Sequence, residues 1–370
     1  MCAAPPDDRR VLSRMLDSSL ELRFLEIFSS EPALPEAGRT IGQSMEGRPI
    51  VGFRFGSGPL RVSLIAGCHA DEPVGPELLR RLTGFLLRLP PDDPLLFTAE
   101  WWIVPHVNPD GEARNRAWQT PIPDSFDPVR TLAGAIRELP GDDLEFGFPR
   151  DVEDAGGRPE SRAVFDWWRE ADGPFALHAS LHGMGFAAGP WYLIEPGWIE
   201  RTRILRATCG RRTHQLGYTL HDVERQGEKG FHRIERGFCT RPDSEAMRDY
   251  FLTRDDPETA GRFRPSSMEA IRSLGGDPLT LVSEMPLFLT PGAGESPGPP
   301  DPVLEAWKQR IAAWREAASD SDLDNSRLAA EMFEAGLRAM PVRDQMELQW
   351  TFVSAGLAEV MRSPDTGRES

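Results

Sequence analysis

Apolar residues recur at threes and fours over residues 10–30 and again over 76–89, where Pro90 and Pro91 end the run, and both stretches are predicted as helices. Shorter apolar, β-prone runs lie at 50–55, 61–67, 101–107, 175–183 and 279–286 and predict strands. Strand 61–67, helix 76–89 and strand 101–107 together make a βαβ unit. Such units predict an α/β fold with a mixed, mainly parallel twisted sheet flanked by helices, and they place functional sites at the C-terminal ends of the strands. Residues 119–160 are loop-rich and 159–171 are helix-patterned. A Pro/Gly-rich run closes at 302, and beyond it 303–318, 323–339 and 343–361 again carry helical spacing. The expected organisation is a helical lead-in (1–37), a main domain (38–290), a linker (291–302) and a helical C-terminal extension (303–370).

Polar residues that interrupt these apolar runs are the informative ones. His69 and Glu72 stand three apart directly after the run Arg61-Val-Ser-Leu-Ile-Ala-Gly67, where a strand turns toward a helix. An imidazole and a carboxylate so placed are able to share one divalent ion, because zinc takes N and O ligands at about 2.0–2.2 Å; a third ligand is then expected elsewhere. The strand-like 175–183 run ends in His182-Gly183, and Asn108-Pro-Asp-Gly111 forms a compact turn after another strand. Glu284 is a lone carboxylate inside the apolar Leu279-Thr-Leu-Val-Ser-Glu-Met-Pro286. A charge there costs desolvation free energy unless it is paired or serves a site.

Taken in order, Gly42-Gln-Ser44-Met-Glu46-Gly47-Arg48-Pro-Ile50, Gly67-Cys-His69-Ala-Asp-Glu72, Asn108-Pro-Asp-Gly111, Ser180-Leu-His182-Gly183 and Glu284 resemble the zinc metallocarboxypeptidases of the carboxypeptidase A-like family. The resemblance covers roughly residues 38–290. It implies a zinc carboxypeptidase-like fold, one zinc ion per chain held by His69, Glu72 and His182, and hydrolysis of a small peptide or amide substrate by activated water. Glu284 is then the general base, and the arginine that stabilises the oxyanion is Arg114 or Arg116, with Arg116 preferred from its distance after Gly111. Asp143, Asp71 and His106 are candidates to orient the ligating imidazoles, and no spacing selects among them. His178 is read as a structural histidine; His214, His221 and His232 are unassigned.

Two departures bear on specificity. Peptide-cleaving relatives carry an Asn-Arg pair for the substrate's terminal carboxylate, and in Asp143-Leu144-Glu145-Phe146-Gly147-Phe148-Pro149 the corresponding positions are Glu145 and Phe146. A carboxylate there predicts repulsion of a free α-carboxylate, so a neutral or cationic substrate is expected rather than standard C-terminal exopeptidase activity. The family's substrate-closing tyrosine also has no match. The His69–Gly75 step is further similar to the succinylglutamate desuccinylase and aspartoacylase group. That similarity leaves an acyl-amino-acid deacylase as an alternative, beside a non-catalytic metal-binding protein on the same scaffold.

Composition narrows the class without selecting a substrate. Of 370 residues 39% are apolar, enough for one large core, and the formal net charge of −16 disfavours nucleic acid and anionic membranes as partners. Neither a phosphate-cradling Gly-x-x-x-x-Gly-Lys loop nor an apolar membrane span is present, and the first residues do not read as a secretory signal. Cys2, Cys68, Cys209 and Cys239 are scattered, as expected of reduced thiols, so a cytoplasmic protein is expected. Cys68 is expected to face the core while His69 faces the site. Oligomeric state is not readable.

Overall fold

The computed structural model describes residues 23–294, 301–319 and 325–362. Nine strands, β1 (Arg39–Gln43), β2 (Pro49–Phe55), β3 (Leu60–Ala66), β4 (Ala99–Val104), β5 (Leu177–Ala187), β6 (Trp191–Ile194), β7 (Arg233–Glu235), β8 (Phe238–Thr240) and β9 (Leu279–Leu289), form one sheet in the order β1-β2-β4-β3-β5-β9-β6-β8-β7. The centre, β4-β3-β5-β9, is parallel, and antiparallel pairs lie toward both edges. This is the mixed α/β sheet flanked by helices that the βαβ pattern predicts.

Strand alternation explains why the central strands read as continuous apolar runs. In β3 and β4, Leu64, Trp101 and Ile103 belong to one core, whereas Ile65, Trp102 and Val104 belong to the other. Both faces are therefore covered, as parallel sheets require. On one side the helix Val74–Arg88 buries Leu78, Leu79, Leu82, Phe85 and Leu86 along a single stripe. The opposite side is covered by Pro159–Trp168 and Ser267–Ser273 through Val164, Phe165, Trp168 and Ile271.

The C-terminal helices contribute to the same core. Val342–Arg362 lies against β9 and β5 with Trp350, Phe352, Val353 and Leu357 buried, and it crosses so closely at Gly356 that a Cβ would meet Leu281 Cδ1 at 2.6 Å. The helix expected over 323–339 is shorter, Asn325–Glu334. Gly336, at φ +97°, turns the chain into a further strand, β10 (Arg338–Ala339), which pairs with β9. The expected helix over 10–30 falls mainly outside the described residues, within which the helix Phe24–Phe28 remains, and residues 295–300 of the expected linker also fall outside them. Within the loop-rich 119–160 region the helix Pro128–Gly134 forms. No helix among the described residues is long and apolar enough to cross a membrane.

Candidate metal centre and active site

Gly67 sets up the site by turning the chain as it leaves β3. Its φ is +70°, and a Cβ at this position would meet His106 Nδ1 at 2.5 Å, so only glycine fits the turn. The turn projects His69 and Glu72 just before the helix Val74–Arg88, whose N-terminal dipole favours the Glu72 carboxylate. His182 stands on β5 directly beside Glu284 on β9, the two being Cα partners in the parallel register. From the C-terminal helix, Gln349 Nε2 donates to the His182 carbonyl at 3.1 Å and to Ser283 Oγ at 3.2 Å, fixing both strands behind the site.

Three of the predicted residues converge. Glu72 reaches both imidazoles, Oε1 lying 2.9 Å from His69 Nδ1 and Oε2 2.9 Å from His182 Nδ1, and the two Nδ1 atoms are 3.0 Å apart. Donor atoms on a tetrahedral ion bound at about 2.0–2.1 Å lie roughly 3.3 Å from one another, close to these separations. Two nitrogens and a carboxylate on one point are a chemically suitable set for zinc, and His69, Glu72 and His182 group as potential ligands in the structure.

The far side of His182 is held by a residue the sequence reading placed differently. Glu145 Oε2 lies 3.1 Å from His182 Nε2, Ser180 Oγ lies 2.8 Å from the same nitrogen, and Ser267 donates to Glu145 Oε1 from its backbone N–H at 2.9 Å and its hydroxyl at 2.7 Å. Glu145 thus orients the His182 ring, an arrangement typical of metal-ligating histidines. Burial pushes its carboxyl up, but the hydrogen bond to His182, that residue's charge and the Ser267 donors outweigh burial and hold it at about 2. Phe146 does line the cavity, packed edge-on against Phe263 at 5.4 Å.

Electrostatics divide the two glutamates. Burial, and then the Glu72 charge, raise Glu284 to about 7 against the pull of His182, His69 and Arg137, a value suited to accepting and returning a proton near neutrality. For His182, burial lowers the pKa, but Glu72 and Glu145 on its two sides drive it well above the ordinary histidine range. Burial lowers and Glu72 raises His69, with a net increase. Cys68, Glu145 and His182 form a second potential ligand group, but Cys68 is buried and its thiol is pushed well above its usual pKa by that burial and by Glu145, so it keeps its proton.

Neither Arg114 nor Arg116 lines the cavity. Asn108 caps the helix Pro109–Gln119, its Oδ1 accepting from Gly111 N at 2.9 Å, so the residues after Gly111 wind around a helix; Asn115 and Trp118 turn inward and Arg116 turns outward, exposed and away from the cavity lining. Arg114 pairs with Glu46 at the surface. The arginine beside the candidate ligands is Arg137, with Nη1 2.8 Å from Glu72 Oε1 and 3.0 Å from Asp71 Oδ1. Its place in the irregular segment after Gly134 left no spacing signal. Of the expected orienting residues, Asp71 is taken by Arg137, and His106 accepts from Asn108 N with burial holding it at about 4. Asp143 approaches His69 Nε2 at 3.9 Å. His178 bridges Ser63 and Ser267 in the core, and burial keeps it neutral at about 4.

Residues 35–192 match the zinc carboxypeptidase family model (Peptidase_M14), a span that contains His69, Glu72 and His182 and ends before Glu284. The chain is 29% identical over 170 residues to "Carboxypeptidase SOL1" of Arabidopsis thaliana, covering 41% of this chain and 30% of the relative. It is 31% identical over 175 residues to "Carboxypeptidase D" of Mus musculus, covering 39% of this chain and 12% of the relative. The match thus spans less than a third of either relative. Among solved structures, carboxypeptidase A from Helicoverpa armigera aligns at 15% identity and TM-score 0.40, covering 87% of this chain and 74% of that one. The murein-tripeptide amidase of Escherichia coli O157 aligns at 14% identity and TM-score 0.33, covering 79% of this chain and 95% of that one. Over residues 35–192, then, this chain is similar to the zinc carboxypeptidase family.

Proposed function

We propose that the protein is a zinc-dependent hydrolase of peptide or amide bonds, with His69, Glu72 and His182 as the ligands of one zinc ion and Glu284 as the general base. The observation that carries this reading is the convergence of His69 Nδ1, His182 Nδ1 and both Glu72 oxygens within 3.0 Å, beside a half-buried carboxyl raised to about 7. Zinc in such a set supplies Lewis-acid activation of water and of the scissile carbonyl. Glu284 then takes the proton of the attacking water and passes it to the leaving nitrogen, a role that a carboxyl poised near neutrality serves in both directions. Glu145 holds the His182 ring so that Nδ1 faces the ligand point. Arg137 is the cation adjoining the ligands and takes the oxyanion-stabilising role expected of Arg116.

The cavity in front of these groups has a volume of about 250 Å³, a size for a short peptide or a small amide. A cytoplasmic location belongs to the same reading, supported by the free, buried Cys68, Cys209 and Cys239. Incubating the zinc-loaded full chain with a panel of short peptides and acyl-amino acids, with and without a chelator, tests the assignment. Chelator-sensitive cleavage of a peptide or amide bond is the expected result, and cleavage indifferent to the chelator contradicts it.

A further inference from the structure

The sheet grips His182 and Glu284 less firmly than it grips its own middle. β3 accompanies β5 only as far as the Ala66–Leu181 pair, one residue short of His182. Two residues beyond Glu284, Pro286 has no N–H to give to the β5–β9 ladder. Yet His182 Nδ1 must stay 2.9 Å from Glu72 and 3.0 Å from His69 Nδ1. Groups of such a constellation have to be held within about 0.5 Å, which asks for support from a rigid element.

Gln349 supplies that support from behind. It is fully buried on the helix Val342–Arg362, whose Phe352 and Gly356 meet Tyr192 on β6 and Leu281 on β9. Its Nε2 donates to acceptors on two strands, the His182 carbonyl on β5 and, on β9, the hydroxyl of Ser283 beside Glu284. A carbonyl only accepts, so the amide nitrogen has to face the sheet. That orientation leaves Gln349 Oε1 buried and, among the described residues, without a hydrogen-bond partner. An apolar side chain would avoid this desolvation cost, so packing alone does not account for a glutamine here. Gln345, one turn earlier, is equally buried with its own Oε1 unpartnered, but its Nε2 donates to the Met340 carbonyl at the start of the same helix, away from the site.

We propose that Gln349 is a positioning residue of the metal centre: it ties β5 to β9 at the register step that carries His182 and Glu284, and so sets the His182 ring against His69 and Glu72. The proposal rests on the reading of His69, Glu72 and His182 as ligands. Gln349 acts through the backbone of one site residue and the neighbour of another, and it makes the C-terminal helix a functional part of the centre rather than an appendage.

Gln349→Met keeps the side-chain length and removes the donor, and Gln345→Met makes the same change one turn away. Zinc affinity of the full chain is read by competition with a chromophoric chelator, ligand geometry by the visible absorption of the cobalt(II)-loaded chain, and folding by circular dichroism. Gln349→Met is expected to bind zinc about 10–100-fold more weakly, the usual effect of losing a group that orients a ligand, and to shift the cobalt bands. Gln345→Met is expected to match the wild type in both. Ser283→Ala removes one of the two acceptors and should shift the cobalt bands by less. A folded Gln349→Met that binds zinc within about twofold of wild type with unchanged bands overturns the proposal, as does an equal loss in Gln345→Met. Should Gln349→Met not fold, unchanged bands in Ser283→Ala overturn it. The ligand reading fails separately, when His182→Ala keeps the wild-type affinity for zinc.

Discussion

Glu284 on β9 and His182 on β5 are direct partners in the parallel register, so the proposed base and the last proposed metal ligand are fixed by one ladder of backbone hydrogen bonds. His69 and Glu72 arrive from the neighbouring β3, on the other side of β5. The constellation therefore spans three adjacent parallel strands at their C-terminal ends, where such sheets place their sites.

Metal binding should release protons. Glu72 and Glu145 hold His182 in its charged form in the metal-free protein, and ligation needs the neutral ring. A pKa raised above the ordinary histidine value means that the ion must displace a proton at neutral pH, so affinity falls as pH falls. Calorimetric zinc titrations in buffers of different ionisation enthalpy should give buffer-dependent heats that show net proton release. Heats independent of the buffer contradict this.

Glu284→Gln carries two expectations. With metal retained, turnover should fall by about 10²–10⁴, the usual contribution of a general acid–base group. In the metal-free protein the raised pKa has a stability consequence. The folded state binds the Glu284 proton more tightly than the unfolded chain does, so that contribution is full below the ordinary 4.5 and is lost as pH rises through about 7. Denaturant unfolding at pH 5, 6, 7 and 8 should show the Gln variant gaining on the wild type up to neutrality and levelling off above it. A constant difference would show that Glu284 does not titrate there.

Arg137→Gln and Arg116→Gln should separate sharply. Arg137 touches Glu72, whereas Arg116 is exposed on the outer face of its helix. Removing a cation that stabilises the developing oxyanion costs about 10²–10³ in kcat, so Arg137→Gln should lose activity on that scale and Arg116→Gln should stay within about twofold of wild type. The reverse ranking would return the role to Arg116.

How much of this was legible in the sequence depends on the distance over which each residue acts. His69 and Glu72 could be read because a strand, a turn and a helix in one local segment set both. Glu284 was conspicuous as a charge in an apolar strand. Glu145 stood out as a departure from an Asn-Arg pair, but its partners His182 and Ser267 lie far along the chain, and only the fold shows that its carboxylate reaches His182 Nε2. Arg137 had no periodic context at all. The C-terminal helix showed an apolar pattern, but nothing in that pattern says that Gln349 ends against the His182 carbonyl.

The central claim is that His69, Glu72 and His182 hold one metal ion, and elemental analysis of the purified full chain and its variants tests it most directly. The account predicts about one zinc per wild-type chain. It predicts a marked fall in His69→Ala and in His182→Ala with secondary structure retained, and full occupancy in Cys68→Ala, because that thiol keeps its proton. Zinc content unchanged in both histidine variants would contradict the account.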